Sequence, residues 1–126
     1  MAVSGLGPYD PNNIFAKILR GEIPCNRVFE NEHALAFRDI APRAPMHILV
    51  IPKGPYVSFA DFSQRATDAE IVGLTRAIGH VAHTLGLEEA GYRVLSNMGQ
   101  HAGQEVPHFH VHLFAGRPLG EMLPSA

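Results

Sequence analysis

The heptapeptide His108-Phe109-His110-Val111-His112-Leu113-Phe114 constrains this chain more than any other stretch. Three imidazoles alternate with three large apolar side chains, and another aromatic follows. A strand turns successive side chains to opposite faces, with about 6.8 Å between residues i and i+2. The three histidines therefore share one face of a predicted strand, while Phe109, Val111 and Leu113 share the other. On a helix the same residues would scatter, leaving neither an apolar stripe nor a convergent site. The segment reads as a strand with a core on one side and chemistry on the other.

The rest of the chain supplies partners for such a strand. Asp10-Pro11 has the form of a helix start, with Asp10 as N-cap and Pro11 in the first turn. Ile14, Phe15, Ile18 and Leu19 then recur at helical spacing up to Gly21. Residues 27–30 and 34–38 read as a hairpin around Asn31-Glu32-His33. His47 to Ile51 is almost continuously apolar and ends at Pro52, which suits a central strand buried on both faces. Thr67-Asp68-Ala69-Glu70 has capping-box form and opens a longer helix that Gly86 stops. Tyr92 to Ser96 is a further strand. Two helices with about five strands, not in strict βαβ alternation, predict an α+β fold with a mostly antiparallel sheet. Residues 1–11 read as a flexible N-terminal tail, 12–115 as one domain, and 116–126 as an extended C-terminal tail.

A chain of 126 residues can bury a core without disulfides, and Cys25 is its only cysteine. That favours a reducing compartment. The first residues lack the basic and apolar segments of a signal peptide, and no apolar run is long enough for a bilayer. The expectation is a cytoplasmic protein with no membrane partner. A net charge of −2 with scattered basic residues gives no footprint for nucleic acid.

Imidazole titrates near neutrality and can serve as nucleophile, proton shuttle or metal ligand. Several on one face cannot all be cationic, so some are neutral and offer an attacking nitrogen. The loop ahead of them, Asn97 to Gln104, combines Gly99 and Gly103 with amide side chains. Such a loop can turn N–H groups toward an anion, and Gln104 adds a side-chain donor. No Gly-Lys-Ser/Thr follows, so it is not a Walker loop. A metal remains an alternative, since His-x-His can place two nitrogens on zinc, with Asp39 or His47 completing the set. His80 and His83 fall on the long helix as solvated polar residues, and His33 on an exposed turn.

The His-φ-His-φ-His-φ-φ pattern resembles the signature of the histidine-triad (HIT) superfamily. The likeness extends over Ile14-Phe15, residues 36–40, Pro45-Met46-His47, residues 49–53, Asn97 and Gly103-Gln104, in the family's order and spacing. Gly116 to Gly120 is similar to the tail of bacterial members of the Hint branch, and the likeness covers roughly residues 12–123. The resemblance implies a homodimeric HIT-like fold and an enzyme without a cofactor or metal. It would cleave purine nucleoside phosphoramidates at the α-phosphate, with a purine nucleotide as its partner. Carried over by position, His110 would be the nucleophile, His112 would face the phosphate oxygens, and His108 and His47 would orient the rings. Asn97, Gly103 and Gln104 would line the phosphate region, and Asp39 would accept from the ribose. Phe15, Phe37, Ile40 and Leu49 would form the base pocket. Two departures stand out. Glu105 occupies the position of a serine in animal Hint proteins, beside the leaving group. The cysteine pair with which some relatives hold zinc near the first helix is absent. A nucleotide-binding protein with vestigial catalysis is the third reading.

Overall fold

The computed structural model describes residues 3–125. Its elements are α1 (Ile14–Leu19), β1 (Arg27–Glu30), β2 (Ala34–Arg38), β3 (Met46–Pro52), α2 (Phe59–Arg65), α3 (Asp68–Thr84), β4 (Arg93–Leu95) and β5 (Val111–Ala115). The strands form one open sheet in the order β1-β2-β3-β5-β4, antiparallel throughout. The expected α+β architecture with a central β3 is present.

Alternation along the central strands divides the protein. Ala34, Ala36, Ile48, Val50, Val111 and Leu113 face α3, whose Leu74, Ala77 and Val81 complete the larger core. Leu35, Phe37, Leu49 and Ile51 point the other way and pack with Phe15 and Ile18 of α1. Leu113 is fully buried. Removing a side chain of that size from water contributes about 1.5–3 kcal/mol.

Three elements differ from the sequence expectation. A third helix, α2, is present among the described residues; Ser58 caps it and only Phe62 is buried. Seven residues with one buried position carry too little periodicity to announce a helix. The cap of α1 is Asn13, whose side chain accepts from the Ala16 N–H. Asp10 instead accepts from the Asn12 N–H and shapes the turn before it. Finally, the regular ladder of the histidine strand begins only at Val111. Ahead of it the Phe109 N–H donates to the Tyr56 carbonyl, and the His110 carbonyl accepts from Ser96 Oγ. The alternation nevertheless persists through 108–110, because Phe109 still enters the α3 core.

The capping box expected at α3 is complete, with Thr67 and Glu70 satisfying each other's backbone N–H groups. Asn31 Oδ1 accepts from the His33 and Ala34 N–H groups and closes the β1–β2 hairpin. At the end of β5, Gly116 has φ +102°, and a Cβ there would lie 2.8 Å from Pro45 Cβ. Only glycine fits both the conformation and the space.

The segment expected to be a flexible tail is docked where it is described. The Val3 N–H donates to the Gln104 carbonyl, Ser58 Oγ–H to the Gly5 carbonyl, and Tyr9 Oη lies 2.6 Å from His108 Nδ1. Among the described residues, no helix is long and apolar enough to cross a membrane.

Candidate active site

The face of the sheet carrying α1 opens beside β5 into a cavity of about 430 Å³. Two of the three triad histidines, His110 and His112, line it together with His47 and Asp39. Register explains the convergence: His112 pairs with Leu49 on β3 and with Leu95 on β4. His47, two residues before Leu49, lies on the same face. Phe15, Leu49, Asn97, Gly103, Gln104 and Glu105 also reach the cavity wall, as expected from the sequence.

Hydrogen bonds fix the tautomers of four rings. The Arg43 N–H donates to His47 Nδ1, so the proton of the neutral His47 ring sits on Nε2. That nitrogen lies 2.9 Å from His112 Nδ1, which therefore accepts. His112 in turn carries its proton on Nε2. On the other branch, His110 Nδ1 lies 2.7 Å from the His108 carbonyl, which can only accept. The His110 proton is on Nδ1, and its Nε2 holds a free lone pair. Behind it, His108 Nε2–H donates to the Pro52 carbonyl, and His108 Nδ1 accepts from Tyr9.

Every fully buried side-chain nitrogen and oxygen among the described residues has a partner. Nε2 of His110 and Nε2 of His112 make no hydrogen bond with the described residues, so both are accessible from the cavity they line. One is a base and the other a donor. The ring centroids are 5.1 Å apart, with the planes inclined at 69°. Phe15 meets the His110 ring edge-on at 5.0 Å, and Phe114 stacks on His112 at 5.5 Å.

Burial keeps the histidines uncharged. It pushes His108 down to about 4, with a smaller contribution from neighbouring His110. His112 is also pushed to about 4, by burial first and then by His110 and His47. Burial lowers His110 as well, against the opposing hydrogen bond to the His108 carbonyl. His47 is lowered by burial despite the nearby Asp39 carboxylate. All four rings are neutral at pH 7.

Phe37 and Ile40 lie outside the cavity lining, while His108 and Gln104 support it with buried side chains. His108 is completely buried and stands behind the cavity rather than in its wall. Gln104 is 1% exposed, and its side chain is spent internally. Its Nε2 donates to the Val57 and Val106 carbonyls, while its Oε1 accepts from the Gly99 N–H. It braces the loop and has no proton left for an anion. Phe37 is packed in the core against Phe15 at 5.6 Å, outside the cavity lining. Ile40 is 94% exposed. The preceding Asp39 Oδ1 accepts from the Ala41 N–H and turns the chain so that Ile40 points outward.

The lining also includes Ala41, Arg43, Leu95, Ala102, Val106 and Phe114, which the sequence pattern does not single out. Phe114 was reachable, since it continues the histidine face by one more alternation. Arg43 had no signal, because an irregular Pro-rich connection has no period to read.

Asp39, His47 and His112 bring three potential ligand atoms within 4.8 Å of one another. Their hydrogen bonds oppose a metal there. A metal on His47 Nε2 would force that ring's proton to Nδ1, against the Arg43 N–H already pointing at it. It would also take the place of the His47–His112 hydrogen bond.

Comparison with known proteins agrees with this geometry. The HIT domain family matches residues 20–119. A HIT-like protein of 13.2 kDa from Azospirillum brasilense is 68% identical over 91% of this chain and 94% of its own. The purine nucleoside phosphoramidase of Escherichia coli is 44% identical over 87% of this chain and 92% of its own. The solved structure of a histidine triad protein from Clostridium difficile superposes with a TM-score of 0.80. It has 39% identity and covers 92% of this chain and all of that one. With the matched region spanning the sheet, α2, α3 and all three triad histidines, the chain belongs to the HIT domain family.

Proposed function

We propose that this protein is a HIT-family hydrolase that cleaves purine nucleoside 5′-phosphoramidates at the α-phosphate through a nucleotidyl-His110 intermediate. The observation that carries the reading is the tautomer pair at the cavity: an unprotonated His110 Nε2 beside a protonated His112 Nε2. A phosphoryl group needs both a nucleophile and a donor to its oxygens. The 44% identity to a purine nucleoside phosphoramidase supports the substrate class.

In this mechanism His110 Nε2 attacks phosphorus while His112 Nε2–H donates to a non-bridging oxygen. The P–N bond breaks with its electron pair on nitrogen, and the amine takes a proton from solvent beside exposed Glu105. His110 becomes cationic as its bond to phosphorus forms. Its Nδ1–H then points at the His108 carbonyl, which stabilises that charge. Water displaces the histidine in the second step, releasing the nucleoside monophosphate. The second oxygen of Asp39 is left for the ribose hydroxyls, and Phe15 and Leu49 supply apolar wall for the base.

We place the protein in the cytoplasm, where a lone thiol such as Cys25 stays reduced. We also propose a homodimer paired through β4, which lies at the sheet edge with Val94 exposed. An uncovered edge strand is a template for pairing.

The test is turnover of an adenosine 5′-phosphoramidate by the purified protein, with acid quenching to trap the adduct. Release of the amine and a nucleotidyl adduct that maps to His110 are expected. Nucleotide binding without turnover would leave a binding protein with vestigial catalysis. Turnover abolished by chelators would point to metal-dependent hydrolysis instead.

A further inference from the structure

The N-terminal segment is joined to the catalytic loop at several points. Near its start, the Val3 N–H donates to the Gln104 carbonyl at 2.7 Å. At Gly5 the backbone passes so close to the loop that an added Cβ would lie 2.9 Å from Gln104 Oε1 and 3.2 Å from the Gly99 nitrogen. Gly5 also has φ +76°, and its carbonyl accepts from Ser58 Oγ–H, which is 1% exposed. Tyr9 then reaches the first triad histidine, with Oη 2.6 Å from His108 Nδ1 and the rings edge to face at 5.6 Å.

These contacts continue into the site. The His108 ring is held at both nitrogens, by Tyr9 on one side and the Pro52 carbonyl on the other. The backbone carbonyl of the same residue receives His110 Nδ1–H. A shift of His108 therefore moves the acceptor that sets the tautomer and direction of the His110 ring. Burial raises the Tyr9 hydroxyl above its ordinary range, so it stays protonated and donates.

We propose that residues 3–9 form a strap that is a working part of the site, and that Tyr9 is a positioning residue for His110, acting through His108. The proposal rests on the reading of His110 as nucleophile. Neither sheet face needs the strap: none of its residues belongs to either core cluster. Two of its hydrogen bonds go to the loop and the triad, at Gln104 and His108, and a third comes from Ser58 at the start of α2. Catalysis should then depend on the strap more steeply than stability does.

The experiment compares the full-length protein with Tyr9→Phe and, separately, Gly5→Ala. Tyr9→Phe removes one hydroxyl and keeps the ring. Gly5→Ala unseats the strap by a clash that does not touch His108. Each is measured for kcat and KM with an adenosine 5′-phosphoramidate, for thermal midpoint, and by ¹⁵N NMR of the histidine rings without substrate. Tyr9→Phe is expected to lower kcat about tenfold, the worth of one buried hydrogen bond, with KM changed much less. The His108 Nδ1 resonance should move toward that of an unbonded ring nitrogen, and the His110 Nδ1 proton should exchange faster with solvent. Gly5→Ala should reproduce the faster exchange and the fall in kcat.

A kcat within twofold of wild type in both variants overturns the strap's role. So does a His110 proton whose exchange is unchanged in both. The NMR readout needs no turnover. A wild-type protein inactive on phosphoramidates would therefore sink the proposed reaction, while the strap would still be judged by His110 exchange.

Discussion

His47 Nε2 lies 2.9 Å from His112 Nδ1, joining a residue on β3 to one on β5 across the sheet. The bond is directional because the Arg43 N–H already occupies the other nitrogen of His47. A backbone amide thus decides, two rings away, which nitrogen of His112 presents a proton to the cavity. Neither ring needs a charge to do this.

Replacing His47 with Ala should therefore release the His112 tautomer. The expected loss in kcat is about ten- to hundredfold, in line with a hydrogen bond to a group carrying charge in the transition state. Nucleotide affinity should fall much less. Steady-state kinetics with product-inhibition constants separates the two, and a pure rise in KM would refute the relay.

His110→Ala should lower kcat by about a thousandfold or more, as for loss of a covalent nucleophile. The thermal midpoint should stay near wild type, since the ring's one hydrogen bond is to the His108 carbonyl two residues away. Adduct trapping and a melting curve check both halves.

The buried histidines make stability depend on pH. Between about 4 and 6.5 the unfolded chain binds protons that folded His108 and His112 refuse. Stability therefore rises with pH through that window and levels off above it. His108 alone contributes about 3 kcal/mol to the difference. Urea unfolding at pH 5 and pH 7 should show the lower midpoint at pH 5. Activity should survive further into acid than a free imidazole would allow, because burial also lowers His110. An acid limb of kcat/KM above 6.5 would contradict this.

Gln104→Ala should act on the fold before the chemistry. It leaves the Gly99 N–H and the Val57 and Val106 carbonyls without their partner. A loss of about 2–4 kcal/mol is expected, measured by chemical denaturation. Had Gln104 been a phosphate donor, the variant would keep its stability and lose affinity.

Much of this site is legible in the sequence because period 2 survives where the ladder does not. Phe109 and His110 point to opposite faces although neither lies in regular β5. The other positions depend on contacts that no side-chain period encodes. Arg43 matters through a backbone amide, which no side-chain pattern reveals. Gln104 looks like an anion donor because one of its commitments, to Val57, lies 47 residues away. Tyr9 meets His108 across 99 residues. Helix α2 escaped for a local reason, having one buried side chain in seven residues.

The alternation from His108 to Leu113 has a consequence for how such a chain can change over evolutionary time. The two faces of this segment serve unrelated demands, one packing against α3 and the other lining the cavity or backing it. Substitutions on one face can accumulate without consulting the other. Insertions and deletions have no such freedom. Gaining or losing a single residue would drive imidazoles into the α3 core and push Phe109 and Val111 into the cavity. The segment can drift in composition, yet its reading frame of faces is locked.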